Sequence, residues 1–233
     1  LDPRVLTWVA PAVAKAAMES GVARTEIDLD EYRERLENRF GKAREVKHFI
    51  MSRAQQDPKR VVFSEGEEPK IIRAAARLRD EGLAQPILLG DPDRVTSLAQ
   101  KLGVNGQLTV ISPEAHPRFE EYVHRYWEMR QRKGVTLREA RKLVRQGNVF
   151  GPLMVAMGDA DAFVAGLTYH YPEVLRPALQ VLRMRPGVTK VAGLYLMVFD
   201  DKVYFFTDPT VNIEPTAEEL AEIAIMAAER VRM

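Results

Sequence analysis

The chain has 233 residues, 46% of them hydrophobic, which is enough for one sizeable core or for one core and part of a second. Its 34 basic and 33 acidic side chains leave a net charge of +1, which gives no reason to expect nucleic acid or an anionic membrane as a partner. The absence of cysteine excludes disulfides, thiol catalysis and cysteine metal sites, and it fits a reducing compartment.

The sequence has neither a membrane-spanning pattern nor a secretion signal. The longest apolar runs, such as residues 191–199, are too short to cross a bilayer. Leu1 is followed by neither a basic stretch nor an apolar signal core. We therefore expect a cytoplasmic protein.

The N-terminal part of the chain is typical of helices. An Ala/Val stripe over residues 5–20 ends at Gly21, which predicts a helix with a glycine stop. Apolar residues recur at helical spacing over residues 28–41, which predicts a second helix. The strongly charged stretch at residues 31–47 favours an exposed connector over a core element.

After a turn at Asp57-Pro58, short apolar runs alternate with helical patterns. The runs that predict strands lie at residues 61–63, 86–89, 108–111 and 162–165. Pro69 and Pro92 open the first two helices between them, and Gly82 follows the end of the first helix. This alternation predicts right-handed crossovers and a parallel sheet that is covered by helices on both faces.

Three further helices are predicted around the last of these strands and beyond it. Residues 118–133 form a long amphipathic pattern that ends at Gly134, and Thr136 with Glu139 is a capping box for the next helix. Another helix begins near Glu173. We expect residues 58–185 to form a three-layer α/β/α domain with a mainly parallel sheet.

The pattern changes after Pro186-Gly187. Residues 190–199 and 202–207 are two strand-like runs on either side of a short polar pair, which predicts a β-hairpin. Thr216 with Glu219 is a second capping box, and it opens the final helix. Residues 186–233 are therefore expected to begin a second α/β domain.

Two parts of the sequence resemble two different enzyme families. Residues 1–23 (LDPRVLTWVAPAVAKAAMESGVA) resemble the closing segment of bacterial malic enzymes. From about Arg60 the chain resembles the phosphate acetyltransferase family, most closely at residues 175–180 (LRPALQ) and 211–225 (VNIEPTAEELAEIAI). A malic enzyme tail that continues into an acetyltransferase-like domain is the arrangement of the hybrid NADP-dependent malic enzymes.

The resemblance implies three parts in the chain. Residues 1–57 are a malic enzyme tail and a helical connector, residues 58–185 are the first acetyltransferase-like domain, and residues 186–233 begin a second one. In this family, chain that returns after the second domain completes the first. The resemblance thus implies that the sequence stops before that returning part.

The resemblance also implies an anion-binding site. Arg176 matches an arginine with which the family binds anionic substrate groups, and Arg130 stands where a second such arginine is expected. Guanidinium groups suit the phosphates of acetyl phosphate and coenzyme A, because they donate bidentate hydrogen bonds. Thr168 is the small hydroxyl nearby, and Asn212 with Asp208 lies in a loop that faces the interdomain cleft in the family.

Spacing alone supports less specific roles for these residues. Both arginines fit ordinary positions on helix surfaces, and a motif match by itself has a high false-positive risk. For Asp208 and Asn212, a structural role as turn and capping residues is an equally good interpretation.

Residues 166–176 (GLTYHYPEVLR) depart from the family pattern. Active acetyltransferases usually have a run of Ser or Thr followed by Asp here, whose hydroxyls donate to acetyl phosphate and to the developing oxyanion. This chain has His170, Tyr171, Pro172 and Glu173 instead, and Pro172 lacks an N–H. We therefore expect no catalytic residues in this chain, while anion binding by Arg176 is unaffected.

Other polar residues give weaker signals. The segment at residues 65–68 (EGEE) follows the first strand, where ligands collect in parallel sheets, but three carboxylates favour a solvated loop before a helix. A general-base role for His170 is less favoured than a packing or capping role, because no partner can be placed by spacing. Asp159 and Asp161 are interpreted as loop residues. The four histidines lack metal-ligand spacing, so no metal site is expected.

The leading functional hypothesis is a regulatory domain that binds acetyl-CoA without turning it over. Its parent would be an NADP-dependent malic enzyme that converts malate to pyruvate and CO2, with NADP and Mg²⁺ or Mn²⁺ bound in the malic enzyme domain and not in this chain. The alternative is an active phosphate acetyltransferase. A third role, homodimerisation or higher homo-oligomerisation, is compatible with the first hypothesis and rests partly on the apolar residues 150–157 and 178–184.

Overall fold

The computed structural model describes residues 4–38, 41–199 and 202–232. The chain divides into two compact units. One unit consists of Ser52–Arg185, and the other combines Leu1–Met51 with Pro186–Met233.

Three helices precede the first strand. Helix α1 covers Arg4–Glu19, helix α2 covers Leu29–Asn38 and helix α3 covers Gly41–Gln56. The first two were predicted, and the glycine stop is confirmed because Gly21 has a φ of 73°. The predicted end of the second helix falls partly on residues 39–40, which lie outside the described residues. Helix α3 was missed, because its Lys, Arg, Glu and Gln residues favour helix formation without producing a clear apolar stripe.

Four parallel strands form the sheet of the unit Ser52–Arg185. They are β1 (Lys59–Phe63), β2 (Ala84–Leu89), β3 (Thr109–Ile111) and β4 (Ala162–Val164), in the spatial order β3-β2-β1-β4. The central strand β1 pairs with β2 from Lys59 onward and with β4 from Val61 onward. All four predicted strands and their parallel arrangement are confirmed.

Helices cover both faces of this sheet, which confirms the three-layer prediction. They are α4 (Pro69–Asp80), α5 (Pro92–Lys101), α6 (Phe119–Arg130), α7 (Leu137–Val144), α8 (Gly147–Ala156) and α9 (Tyr171–Val181). Successive strand residues point to opposite faces. Val62 and Leu89 therefore pack in a core with side chains of α6 to α9, while Phe63 and Leu88 pack in another with α4 and α5.

Helix α8 lies in the core, although its apolar residues 150–157 were expected to contribute to an intersubunit surface. Phe150, Leu153 and Met154 are at most 1% exposed, so they pack inside the unit and do not supply an intersubunit surface. This helix was not predicted, because a helix that is buried on most sides lacks a one-sided apolar stripe. On α9, Leu179 remains about half exposed.

Two predicted elements differ in detail from the structure. The long helix expected over residues 118–133 ends at Arg130, and a 3₁₀ turn over Gln131–Lys133 leads to Gly134, whose φ is 88°. Strand β4 was predicted as part of a sheet that helices cover on both faces, but it is an edge strand of the described sheet and Val164 is 43% exposed.

The other unit contains the predicted hairpin. Strands β5 (Leu194–Val198) and β6 (Val203–Thr207) are antiparallel, and helix α10 covers Ala217–Val231. The predicted turn at residues 200–201 lies outside the described residues. The capping box of Thr216 and Glu219 is confirmed. None of the described helices combines the length and the hydropathy that a membrane span needs.

The capping box at the start of α7 provides a test of local stability. Thr136 Oγ1 accepts from the Glu139 N–H at 3.2 Å, and the Glu139 carboxylate accepts from the Thr136 N–H at 2.9 Å. Loss of an N-cap hydroxyl costs about 1 kcal/mol. Thr136→Ala should therefore lower the free energy of unfolding in urea by about that amount, whereas Thr96→Ala, at an exposed position inside α5, should not lower it. Equal values for the two variants would contradict the assignment.

Candidate functional site

The carboxyl ends of the parallel strands surround a crevice of about 280 Å³. It is lined by residues that lie at or just beyond the ends of all four strands, by Arg145 in the loop before α8, and by Gly147 at the start of α8. The chain proceeds outward from β1 to β2 and β3 and then returns to place β4 on the other side of β1. Ligands of open α/β sheets bind where the strand order reverses in this way.

Two glycines allow the walls of the crevice to approach closely. A Cβ on Gly66 would lie 2.6 Å from the Leu89 carbonyl oxygen, to which the Gly66 N–H donates at 3.1 Å. A Cβ on Gly147 would lie 2.7 Å from the Ser64 carbonyl oxygen. The backbone after β1 is therefore fixed between the end of β2 and the start of α8.

Glu65 is buried at this edge, contrary to the solvated loop that the sequence favoured. Its side chain crosses from the end of β1 to the loop after β4, where Oε2 accepts from the Gly166 N–H at 2.8 Å and from the Leu167 N–H at 3.1 Å. Oε1 accepts from the Thr168 hydroxyl at 2.7 Å and from the Thr168 N–H. A charge pattern in sequence cannot reveal this role, because the donors lie about a hundred residues away.

The charge of Glu65 is retained in spite of its burial. Burial by itself raises the pKa of this carboxyl, but the hydrogen bonds from Thr168, Leu167 and Gly166 together outweigh it and bring the pKa below its ordinary value. The group is therefore ionised at neutral pH.

Two other charged side chains of the crevice, Glu67 and Arg145, are paired. Glu67 pairs with Arg94 at 2.8 Å and accepts from the Asp91 N–H at 3.0 Å. Arg145, which lies between α7 and α8, pairs with Glu114 at 3.3 Å. Sequence reasoning missed Arg145 because it resembles the other arginines of a charged helix surface.

Thr168, one of the predicted binding residues, lies on the wall of this crevice. Its hydroxyl hydrogen and its N–H are both directed at Glu65. The hydroxyl oxygen can therefore contribute to a ligand only as an acceptor.

The divergent residues 170–173 form the beginning of α9. His170 is the N-cap residue, and its N–H donates to the Glu173 carboxylate at 2.8 Å. Pro172 lies in the first turn, where it supplies no N–H. The Glu173 carbonyl accepts from Asn148 Nδ2 at 2.7 Å, which ties α9 to α8. These residues thus cap the N-terminus of α9 and leave few N–H or O–H donors for a ligand there.

The two predicted arginines lie on neighbouring helices. Helices α6 and α9 are joined by a hydrogen bond from the Tyr126 hydroxyl to the Gln180 side chain at 3.0 Å. Arg130 lies one helical turn after Tyr126 on α6, and Arg176 lies one turn before Gln180 on α9. Arg176 is exposed and has no ion pair or hydrogen bond within the described parts of the chain. Arg130 is half-buried, and its Nε has no hydrogen-bond partner among the described residues.

Asn212, the fourth predicted binding residue, belongs to the other unit. Its Nδ2 donates to the Val191 carbonyl at 2.9 Å and to Asp208 at 2.7 Å. Asp208 also accepts from the Asn212 N–H, and its φ is 46°. Both amide hydrogens of Asn212 therefore hold the loop, and only its side-chain oxygen is left for a ligand.

The two aspartates interpreted as loop residues are paired with arginines. Asp161 binds Arg60 at 2.7 Å, and the hydrogen bond from Arg60 lowers the pKa of this carboxyl to about 2. Asp159 binds Arg118 at 2.7 Å and accepts from the Tyr122 hydroxyl. Among the residues that the structure describes, no three His, Asp or Glu side chains group as a metal site.

A parallel sheet with helices on both faces and a crevice at its carboxyl edge defines an α/β domain of the ligand-binding kind. The sequence pattern of the phosphate acetyl/butaryl transferase family matches residues 45–233. The chain belongs to this family. Among solved structures, a phosphotransacetylase from Streptococcus pyogenes superposes with a TM-score of 0.74 and is 37% identical over 78% of this chain and 56% of that chain.

Curated relatives are of two kinds. The NADP-dependent malic enzyme of Escherichia coli (strain K12) is 41% identical over 99% of this chain, and a phosphate acetyltransferase of Nitratidesulfovibrio vulgaris is 38% identical over 89% of it. The chain spans 31% of the length of the first and 30% of the second. The domain thus occurs both in malic enzymes and in phosphate acetyltransferases.

Proposed function

We propose that this phosphate acetyltransferase-like domain binds acetyl-CoA without turning it over and regulates a malic enzyme to which it is fused. The observation that carries the proposal is the contrast between Arg176 and the residues just before it. The exposed guanidinium has no partner within the described residues, while residues 170–173 supply a helix cap and a proline where hydroxyl donors would serve acetyl transfer. An anion anchor is thus retained without the groups that stabilise a transition state.

The parent reaction in this proposal is the oxidative decarboxylation of malate to pyruvate and CO2. One relative that matches 99% of this chain is named an NADP-dependent malic enzyme, which favours NADP as the coenzyme of the parent. NADP and a divalent ion, Mg²⁺ or Mn²⁺, would bind in the malic enzyme domain. In this chain the proposed acetyl-CoA-binding residues are Arg176, Arg130 and Thr168 of the unit Ser52–Arg185. Asn212 is proposed as a binding residue of the other unit.

Regulation requires that acetyl-CoA binding change the free energy of a step in the malic enzyme domain. The segment between the malic enzyme tail at residues 1–23 and the sheet contains α2 and α3, and α3 ends three residues before β1 begins. We propose that the coupling passes through this connector.

The proposal is tested by titrating acetyl-CoA into the full malic enzyme while malate oxidation is followed. The expected result is a saturable change in rate, with acetyl-CoA recovered intact at the end. Coenzyme A without the acetyl group is the matched control for the phosphate contacts. A rate that is independent of acetyl-CoA at every concentration would contradict regulation.

An active phosphate acetyltransferase is the second candidate. The names of the relatives from Nitratidesulfovibrio vulgaris and Streptococcus pyogenes support it. The segment at residues 170–173 argues against it, because Pro172 lacks an N–H and the Glu173 carboxylate accepts from the N-cap.

We also propose that the protein forms a homodimer or a higher homo-oligomer. The apolar side chains of Leu179 and Met184 are about half exposed, and two-fold symmetry is the commonest arrangement of soluble oligomers. Light scattering of the full protein at micromolar concentration should give a multiple of the monomer mass. A monomer mass would contradict the proposal.

A further inference from the structure

Among the side chains whose burial the structure describes, Glu65 is the buried charged group that the proposed acetyl-CoA site does not use. It is 8% exposed, and its carboxylate accepts four hydrogen bonds. Three donors are successive backbone N–H groups of residues 166–168, and the fourth is the Thr168 hydroxyl. A carboxylate has about four lone-pair positions, so this one is saturated by a single loop.

The backbone that carries Glu65 is closely packed on both sides. Gly66 is held against the end of β2, and the Ser64 carbonyl is held against Gly147 at the start of α8, so the backbone on both sides of Glu65 is fixed. Apart from these hydrogen bonds, the sequence of the loop at residues 166–168 restrains its conformation less. Gly166 has a φ of 107°, a conformation that glycine reaches at little cost, and the loop side chains of Leu167 and Thr168 are exposed.

The loop leads directly into the helix that carries Arg176. His170, the N-cap of α9, is two residues beyond Thr168, and Arg176 is less than two helical turns further on. Residues 166–168 are therefore separated from the first turn of α9 only by Tyr169 and His170.

We propose that Glu65 is a positioning residue. Its carboxylate accepts from the backbone N–H groups of residues 166–168 as a bound anion would, and it thereby sets the orientation of Arg176 toward the phosphates of acetyl-CoA. The inference rests on the proposed function for its ligand. The contact with the loop is present in the free protein and can be tested without a ligand.

The first measurement is hydrogen exchange of the free protein. Glu65→Ala removes the acceptor from four donors, and Glu65→Gln keeps the shape while replacing one oxygen by an NH2 group that faces other donors. In both variants the amides of residues 166–168 should exchange at least about tenfold faster, since hydrogen bonds to a charged group are strong. Glu67→Ala is the matched control, because it removes a neighbouring carboxylate that is paired with Arg94 and not with the loop.

Formate provides a rescue experiment. In Glu65→Ala the four donors and the vacated space form a site for a small carboxylate, so added formate should restore slow amide exchange in residues 166–168. In Glu67→Ala, added formate should leave the exchange rates of these amides unchanged. A residue that only filled space would not be replaced by an anion in this way.

The pH dependence has a definite sign. The folded pKa of Glu65 is below its ordinary value, so the protection of the loop is complete at neutral pH and is lost as the pH falls through that folded pKa. Further ionisable side chains around the crevice and the loop are those of Tyr169, Glu67, Glu68, Arg145 and Glu173. The comparison is therefore with Glu65→Gln, whose loop should lack this transition.

The second measurement is the affinity for acetyl-CoA by calorimetry. Glu65→Ala should bind about tenfold more weakly than the wild type, with recovery in formate, and Glu67→Ala should bind like the wild type. Unchanged loop exchange in both Glu65 variants would overturn the inference, and so would a loosened loop with unchanged affinity. If the wild type itself does not bind acetyl-CoA, the proposed function fails, while loop exchange and formate rescue still decide whether Glu65 holds the loop.

Discussion

Acetyl transfer from acetyl phosphate to coenzyme A is expected to be at least about 100-fold slower on this domain than on an active phosphotransacetylase. Loss of one preorganised oxyanion donor commonly costs about 100-fold or more. We propose that residues 170–173 stand in place of several such donors. In the structure, Tyr171 and Pro172 occupy the first turn of α9, and the Glu173 carboxylate accepts from the His170 N–H.

Thioester formation is the measurement that checks this expectation. The protein should contain the complete family domain, and the phosphotransacetylase from Streptococcus pyogenes is the positive control. Replacing Tyr171 by Ser and Pro172 by Thr restores hydroxyls and one N–H at the helix start, and this double variant should gain acetyl transfer over the wild type. Wild-type turnover equal to that of the control enzyme would contradict the expectation.

Arg176→Ala is expected to raise the acetyl-CoA concentration that gives half of the effect on malate oxidation by about ten- to a hundredfold. A charge-assisted hydrogen bond to a phosphate contributes about 1.5–3 kcal/mol, and 1.4 kcal/mol corresponds to a factor of ten. No described residue competes for this guanidinium. Acetyl-CoA titrations of the full enzyme give the two half-effective concentrations directly.

Two further variants show whether the effect is specific. Arg176→Lys keeps the charge but loses the planar fork, so it should restore only part of the response. Arg183→Ala removes another exposed guanidinium just beyond the end of α9 and should leave the response unchanged. Superimposable curves for Arg176→Ala and Arg183→Ala would mean that Arg176 is an ordinary surface residue.

The sequence predicted the elements whose signals are local. Pro69 and Pro92 at helix starts, and the capping boxes at Thr136 and Thr216, each involve residues within one turn of one another, and all four were confirmed. The sheet followed from the alternation of strands and helices. Helix α8 was missed because a fully buried helix has no polar side to reveal its period.

The site was less predictable because its contacts are long-range. The family pattern predicts a binding role for Arg176, and that role stays a prediction. The contacts of Glu65 depend on donors at residues 166–168 that only the fold brings near. A carboxylate that holds a loop and a carboxylate in a solvated loop have the same local sequence. Arg145 was missed for the same reason, since its position on the crevice wall depends on the packing of α8.

The direct test of the central claim is calorimetric titration of acetyl-CoA into the full protein, followed by analysis of the ligand recovered from the cell. The account predicts saturable binding that Arg176→Ala weakens by about ten- to a hundredfold, with the acetyl group still attached to coenzyme A when phosphate is present. An absence of binding, or conversion of acetyl-CoA to acetyl phosphate at the rate of an active phosphotransacetylase, would contradict it.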